Sequence, residues 1–417
     1  MNHRIRIAAT VVAVGALMAS MTACSSGSSD ESAPLKFVLS GDATQGGGYQ
    51  KMADKYFEET GTKVEIVDVP GDDLTTRLRN SAQADDLPNI AAAANVDPLW
   101  KDQLLDLTSI AKDANVLPTL TVEDPADNKV KALPSSLTSV GMFINKDLWD
   151  KAGVSYPTDA SQSWTWDEFV AKAKQVQSGA GAQYGLTMDA SAHRLRSFLY
   201  EFGSQGVVQD GDDFTLDDQA KTALEYFKTM NDDGFMPKSV WTAGDDASAT
   251  FKSGQVAAYY SGVWQVADFQ ANITDFAWAS VPTPQQPVKA TNYGAASWIV
   301  GFSGRGKDDA TTKFISWLYQ PENYTAYCEI AGCLPSVSGL NVSYPKNAES
   351  FAMYNAEIAA SPAVSAVQTT DQLRQGYEGK SLDVEPLKDE TIKYLSGEQS
   401  IDQTIDAITA ATKAALG

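Results

Sequence analysis

From Leu35 onward, short apolar runs alternate with segments whose apolar residues recur every three or four positions, the pattern of strands and amphipathic helices in turn. Leu35–Ser40 (LKFVLS) predicts a strand, Tyr49–Glu59 a helix with Met52 and Tyr56 inward and Gly61 as its stop, and Lys63–Val69 (KVEIVDV) a second strand. A strand, helix and strand of these lengths form a βαβ unit, hence a parallel sheet with a crossover helix. Asp72–Asp85 continues as a helix with Leu74 and Leu78 on one face, and Leu87–Ala94 (LPNIAAAA) as a buried strand of small residues. Val130–Ile144 predicts two strand segments around Pro134-Ser135-Ser136, with a helix from Asn145 to a stop at Gly153. Thr165 opens another helix as N-cap, with Glu168 at the matching capping-box position. Gln183–Thr187 is a strand whose end presents Asp189, Ser191, His193 and Arg194. Further strands are expected at Phe276–Val281 and Ile299–Phe302, helices at Leu216–Asp233 and Lys307–Tyr319, and a mostly helical remainder after Ser336. The fold class is α/β.

Within this alternation, Phe251–Phe269 (FKSGQVAAYYSGVWQVADF) combines a helix end, a turn, a strand with little charge, and a second turn at Ser261-Gly262. Trp264 follows that turn at a strand-to-helix corner, where a large ring makes a platform for a flat ligand face or, equally, a core residue closing the helix on the sheet. In open α/β sheets ligands collect at the carboxyl ends of strands. Asp42 and Gln45 after the first strand, and Asn95 and Asp97 after the third, therefore join the candidates; Asp42 reads equally as a turn or helix-start residue. The loop Gly41–Gly48 lacks the spacing of a phosphate cradle.

The first residues predict an address. Arg4 and Arg6 precede the apolar run Ile7–Ala19, and small residues lead to Cys24, a secretory signal over residues 1–23 that is too short to span a membrane as a mature helix. Met21-Thr22-Ala23-Cys24 resembles a bacterial lipobox, in which the Cys is diacylated, and residues 24–34 form a flexible tether. Without Arg4 and Arg6 the chain has 30 basic residues against 53 acidic ones, a net charge of −23, which opposes nucleic acid and anionic membrane surfaces as partners. Cys328 and Cys333 remain for a disulfide in an oxidising compartment. His193 is the mature chain's one histidine, so neither a zinc site nor His-based catalysis is expected, and no cofactor is called for.

Val140–Gly153 followed by SWTWDEFVAKAKQV resembles the "YNKDLFKKAG … TWDEF" segment of family 1 extracellular solute-binding proteins, the sugar-capturing, maltose-binding-protein-like lipoproteins of ABC importers. FKSGQVAAYYSGVW is similar to that family's "F-x-x-G-x-A-A-M-x-x-x-G-x-W", and AGCLPSVSG to its "G-x-L-P" loop. NYGAASWIVGFSGRGKDDATTKFISWL is similar to a fourth segment, with Gly294-Ala295 where Gly-Gly is usual. The order agrees along nearly the whole mature chain.

The resemblance implies a two-lobed fold, each lobe a mainly parallel sheet flanked by helices, with residues 35–138 and 299–333 in lobe 1 and 139–298 and 334–417 in lobe 2. Three hinge crossings are then expected, near Thr138–Gly141, Trp298–Gly301 and Cys333–Ser336. The implied function is capture of a carbohydrate, an oligosaccharide given the 9 Trp, by a monomer anchored on the extracellular face of the membrane beside an ABC permease. The candidate ligand residues are Trp264, Asp42, Gln45, Asn95, Asp97, Ser139, His193, Arg194, Gly294, Ala295 and Trp298, with Arg374, Tyr377, Asp383 and Glu385 as further polar candidates. The alternatives are a lipid-anchored glycosidase, needing two carboxylates about 5–9.5 Å apart, and a binding protein of the same fold for a polyamine or peptide. No G-x-S-x-G elbow supports a serine hydrolase.

Overall fold

A computed structural model describes residues 33–44, 46–380 and 385–416. The signal sequence, Cys24, the tether up to residue 32, Gln45 and Asp383 lie outside the described residues. Two sheets are built from β1 (Leu35–Leu39), β2 (Val64–Asp68), β3 (Ile90–Ala93), β4 (Leu133–Pro134), β5 (Leu137–Asn145), β6 (Tyr184–Met188), β7 (Val256–Gly262), β8 (Trp278–Val281), β9 (Tyr293–Ala295) and β10 (Trp298–Gly301).

The first sheet has the order β2-β1-β3-β10-β4. Its β2, β1 and β3 are parallel, linked by α1 (Gly48–Thr60) and α2 (Gly71–Gln83), as the βαβ pattern demands. Gly61 ends α1 in the left-handed region at φ 74°, its N–H returning to the Phe57 carbonyl. The second sheet runs β8-β5-β7-β6, with β9 also on β5. Only β6 and β7 are parallel there; β5 is antiparallel to β7, β8 and β9. The expectation of mainly parallel sheets is thus corrected to mixed ones. The reason is the route of the chain: β5 and β10 are the strands by which it enters one sheet from the other, and each meets its neighbours head to tail.

Three chain segments lie side by side between the sheets. The Ser135 N–H donates to the Ser297 carbonyl at 2.8 Å, the Ala296 N–H to the Ser136 carbonyl at 2.9 Å, and the Leu137 N–H to the Leu334 carbonyl at 2.8 Å. Ser135 and Ser297 also join hydroxyl to hydroxyl at 2.7 Å.

Period-two alternation sorts the first sheet's two faces. Phe37, Ile90, Ala92 and Ile299 pack under α1 with Met52, Tyr56 and Phe314, while Val38, Ala91, Trp298 and Val300 face Leu74, Leu78 and Trp100. The second sheet's core draws on α3 (Lys146–Ala152), α4 (Trp166–Val176) and α5 (Ala192–Glu201). α4 starts on the expected capping box: Glu168 N–H donates to Thr165 Oγ1 at 3.1 Å, and Thr165 N–H to Glu168 Oε2 at 2.8 Å. Seven of the nine Trp (100, 149, 164, 166, 241, 298 and 317) are buried, so the Trp content builds core rather than a long ligand groove.

At the end of α5 a carboxyl group is fully buried. Glu201 accepts from Trp166 Nε1 and the Tyr260 hydroxyl, each at 2.7 Å. Burial raises its pKa well above the ordinary 4.5, the two donors opposing the shift. A raised carboxyl binds its proton more tightly folded than unfolded, so its contribution to stability is full below about pH 4.5 and is lost as pH rises through the folded value. Glu201→Gln cannot ionise, and its melting temperature should fall less than the wild type's between about pH 5 and pH 8. Equal slopes in the two melting series would mean that another group carries the dependence.

Candidate functional site

The parallel pair β6 and β7 aligns Met188 with Tyr260, so both strands release their chains at the same edge. From β6 come Asp189 and then Ser191, whose hydroxyl accepts from the His193 N–H at 3.1 Å and caps α5. From β7 come Ser261, Gly262 and the turn that delivers Trp264 to the start of α6 (Gln265–Asn272). Two strand ends and two helix starts thereby fix one cluster.

Asp189 is its centre. Arg194 binds Asp189 Oδ2 through Nε at 2.9 Å and Nη2 at 2.6 Å. Ser261 Oγ donates to Oδ2 at 2.8 Å, and the Tyr259 hydroxyl to Oδ1. Burial followed by the Asp189 charge pushes the Tyr259 hydroxyl's pKa up, so it stays a donor. The held guanidinium lies 4.3 Å from the Trp264 ring centre, a cation–π contact. Trp264 is half-buried. It folds over Gly262, where a Cβ would stand 2.0 Å from the ring and 2.5 Å from the Ser139 carbonyl oxygen.

His193 sits beside this ring, 5.9 Å between centres. Asn292 Nδ2 lies 2.7 Å from His193 Nδ1 and 3.1 Å from the His193 carbonyl, which can only accept. The amide orientation is thereby set, Nδ1 is the acceptor, and the proton is on Nε2. Burial lowers the His193 pKa to about 3, with Arg194 and Arg196 adding to the effect, so the ring is neutral at physiological pH. His193 Nε2 and Asn292 Oδ1 are buried without a hydrogen-bond partner, a donor and an acceptor left over.

The cluster unites three of the expected residues: Trp264, His193 and Arg194. Others serve the fold. Asp42 is buried and accepts from the Tyr49 and Gln50 N–H groups at 2.7 and 3.0 Å, holding the start of α1. Asp97 is buried in an ion pair with Arg79 at 2.6 Å and accepts from the Leu99 N–H. Trp298, 1% exposed, is core on β10 and offers a ligand no face. Ser139 is buried against Thr291 Oγ1 at 3.2 Å. Gly294 lies under Thr369, 2.0 Å from where its Cβ would be, and Ala295 packs against the first lobe's core. Asn95 is half-buried in the turn after β3.

Of the C-terminal candidates, Arg374 is exposed and paired with Asp371 at 2.8 Å, and Glu385 is paired with Lys388 at 2.6 Å. Tyr377, at the end of α7 (Val364–Tyr377), is buried against the first lobe's core. Cys328 and Cys333 are thiols with their Sγ atoms 2.6 Å apart, correcting the expected disulfide, whose bond would be about 2.05 Å.

Sequence reasoning did not select Asp189, Tyr259, Ser261 or Asn292. The strand-end position pointed to Asp189, but its partners are 70 and 72 residues away, which no local pattern reveals. An open concavity of about 640 Å³ between α4 and the helix Asp218–Asp232 includes Asp167, Phe202, Tyr226 and Pro287. Its Asp167 accepts from Tyr226 and Gln286. Among the described residues no cluster of His, Cys, Asp and Glu could hold a metal, and no helix is long and apolar enough to cross a membrane.

Residues 51–349 match the profile of the family described as bacterial extracellular solute-binding protein. The chain is 22% identical over 333 residues to a binding protein of Brucella abortus, covering 76% of this chain and 80% of that one. Among solved structures, the GacH receptor of Streptomyces glaucescens, studied with acarbose, superposes with a TM-score of 0.73 at 19% identity, covering 92% of this chain and 99% of that one. The cyclic alpha-maltosyl-1,6-maltose binding protein of Arthrobacter globiformis gives 0.69 at 24% identity, with the same coverage. An ABC substrate-binding protein of Listeria monocytogenes in complex with cycloalternan gives 0.70 at 21%, covering 91% and 98%. These likenesses establish the two-lobed fold.

Proposed function

As the chain belongs to the bacterial extracellular solute-binding proteins, a family of binding proteins rather than enzymes, we propose that it captures a carbohydrate on Trp264 and delivers it to an ABC importer. The observation that carries this reading is the half-buried Trp264 ring beside His193, whose Nε2 is unpartnered, as is Oδ1 of the Asn292 bonded to that histidine. A sugar offers a C–H face for the ring and hydroxyls that both donate and accept. A glycosidase would need a pair of free carboxylates beside the ring, and a polyamine site several; Asp189 there is ion-paired with Arg194 and accepts from Ser261 and Tyr259. The names of the solved neighbours, which mention acarbose, maltosyl-maltose and cycloalternan, favour an oligosaccharide.

The three adjoining segments at residues 134–137, 295–298 and 334–336 are suited to be the hinge about which the lobes close on ligand. The lobe division we propose follows them. Export and diacylation at Cys24 would keep the monomer at the extracellular face of the membrane, beside its permease. Cys24→Ser should release the protein into the medium, and retention of the variant on cells would remove that claim.

A thermal-shift screen of the chain from Ala33 tests the function itself, with mono- and oligosaccharides against amine and peptide controls. A ligand bound only by the folded state raises the midpoint by RT ln(1 + [L]/Kd). A shift with one sugar group, the sugar recovered unchanged, is expected. Conversion of the sugar would mean a hydrolase, and shifts with amines or peptides alone would replace the ligand class.

A further inference from the structure

The Asp189 carboxylate is held by four donors: Oδ2 receives Arg194 Nε and Nη2 and Ser261 Oγ, and Oδ1 receives the Tyr259 hydroxyl. The arrangement also settles the charge at the ring: Arg194, whose third nitrogen, Nη1, meets Ser191 Oγ at 3.2 Å, is closed into an ion pair on the face of Trp264. Its side chain is 16% exposed and that of Asp189 22%, so bulk water screens the pair only in part. Beside the ring, His193 is neutral, and the Asn292 bonded to it is uncharged. Arg196, one helical turn on from His193, adds to the lowering of the His193 pKa and has Tyr200 and Glu385 as further electrostatic neighbours; it lies outside the Asp189–Arg194 pair on the ring.

We propose that Asp189 is a positioning residue that sets the charge selectivity of this platform: by neutralising Arg194 against Trp264, it makes the site take uncharged sugar rings and refuse anionic ones such as uronates. This rests on the reading of Trp264 as the ligand platform. The carboxylate acts on the ligand through the guanidinium it holds. Removing its charge while keeping its shape would leave an unpaired, partly desolvated cation beside the ring, and removing the cation would leave an unpaired anion.

The test is calorimetric titration of the full-length protein in detergent. Asp189→Asn should bind D-glucuronate about tenfold or more tightly than the wild type does, an advantage weakened by salt and abolished in Asp189→Asn/Arg194→Gln. Asp189→Glu should restore the refusal. In the opposite sense, Arg194→Gln should gain about tenfold for protonated D-glucosamine at about pH 6, which keeps the proposal decidable if the Asn variant does not fold. Folded variants with no gain for either charged probe, or a glucuronate gain that survives loss of Arg194, would overturn it. Failure of the underlying reading looks different: the wild type then responds to no neutral sugar in the screen.

Discussion

Trp264→Ala lowers affinity for the captured sugar by about a hundredfold or more while the protein remains folded. A Trp at the centre of a binding surface commonly contributes about 2–4 kcal/mol on truncation, and about 2.7 kcal/mol is a hundredfold. The loss should be large here because the ring stands half-buried at the N-terminus of α6, at the edge of the core, with Arg194 at 4.3 Å and His193 at 5.9 Å. For the same reason the stability cost should be modest, unlike the loss of a core Trp such as Trp149 or Trp166. Titration with the sugar found in the screen, together with a denaturant melt, separates the two effects. Wild-type affinity in a folded variant would return Trp264 to scaffolding.

Gly262→Ala is expected to damage both stability and binding by adding one methyl group. That carbon would stand 2.0 Å from Trp264 Cζ3, 2.1 Å from Cη2 and 2.5 Å from the Ser139 carbonyl oxygen, all far inside contact distance. The ring can swing away but the carbonyl on β5 cannot, since it accepts the Val263 N–H at 3.0 Å. Overpacking of this kind costs about 1–3 kcal/mol, and a displaced ring should forfeit most of what Trp264→Ala forfeits. The double variant Gly262→Ala/Trp264→Ala should be less destabilised than the sum of the singles, because one of the two clashes has gone, and should bind no more weakly than Trp264→Ala alone. Additive losses in stability and affinity would show that residue 262 and the ring act independently.

Much of the scaffold was legible because it is written locally. The βαβ opening, the Gly61 stop and the Thr165–Glu168 capping box depend on residues within one or two turns of each other, and each formed as patterned. The direction of β5 and β10 was not, because apolar runs read the same forwards and backwards and only the crossing of the chain between sheets decides how they pair.

Three of the candidate site residues are taken up by the fold. Asp42 and Asp97 follow strands as ligand residues do, yet helix and turn N–H groups close by had the stronger claim on both carboxylates. Trp298 lies in Trp-Ile-Val-Gly, a strand covered on both faces, where sequence offers no polar neighbour to mark a wet side. The strand-to-helix corners that carry Trp264 and Arg194 are visible in sequence, whereas the Asp189 network that ties the two together required the register of β6 against β7.

The distribution of indoles also makes the protein its own optical reporter. Seven of the nine are sealed in the two lobes and should emit a steady background, whatever the ligand. Trp278, the other half-buried one, sits on strand β8 against Phe143 and Phe269, among its own lobe's aromatics. Trp264, half-buried with the Arg194 guanidinium 4.3 Å from its ring centre, is the indole at the proposed site, so a change in intrinsic emission on adding sugar would report that residue, without any dye or label.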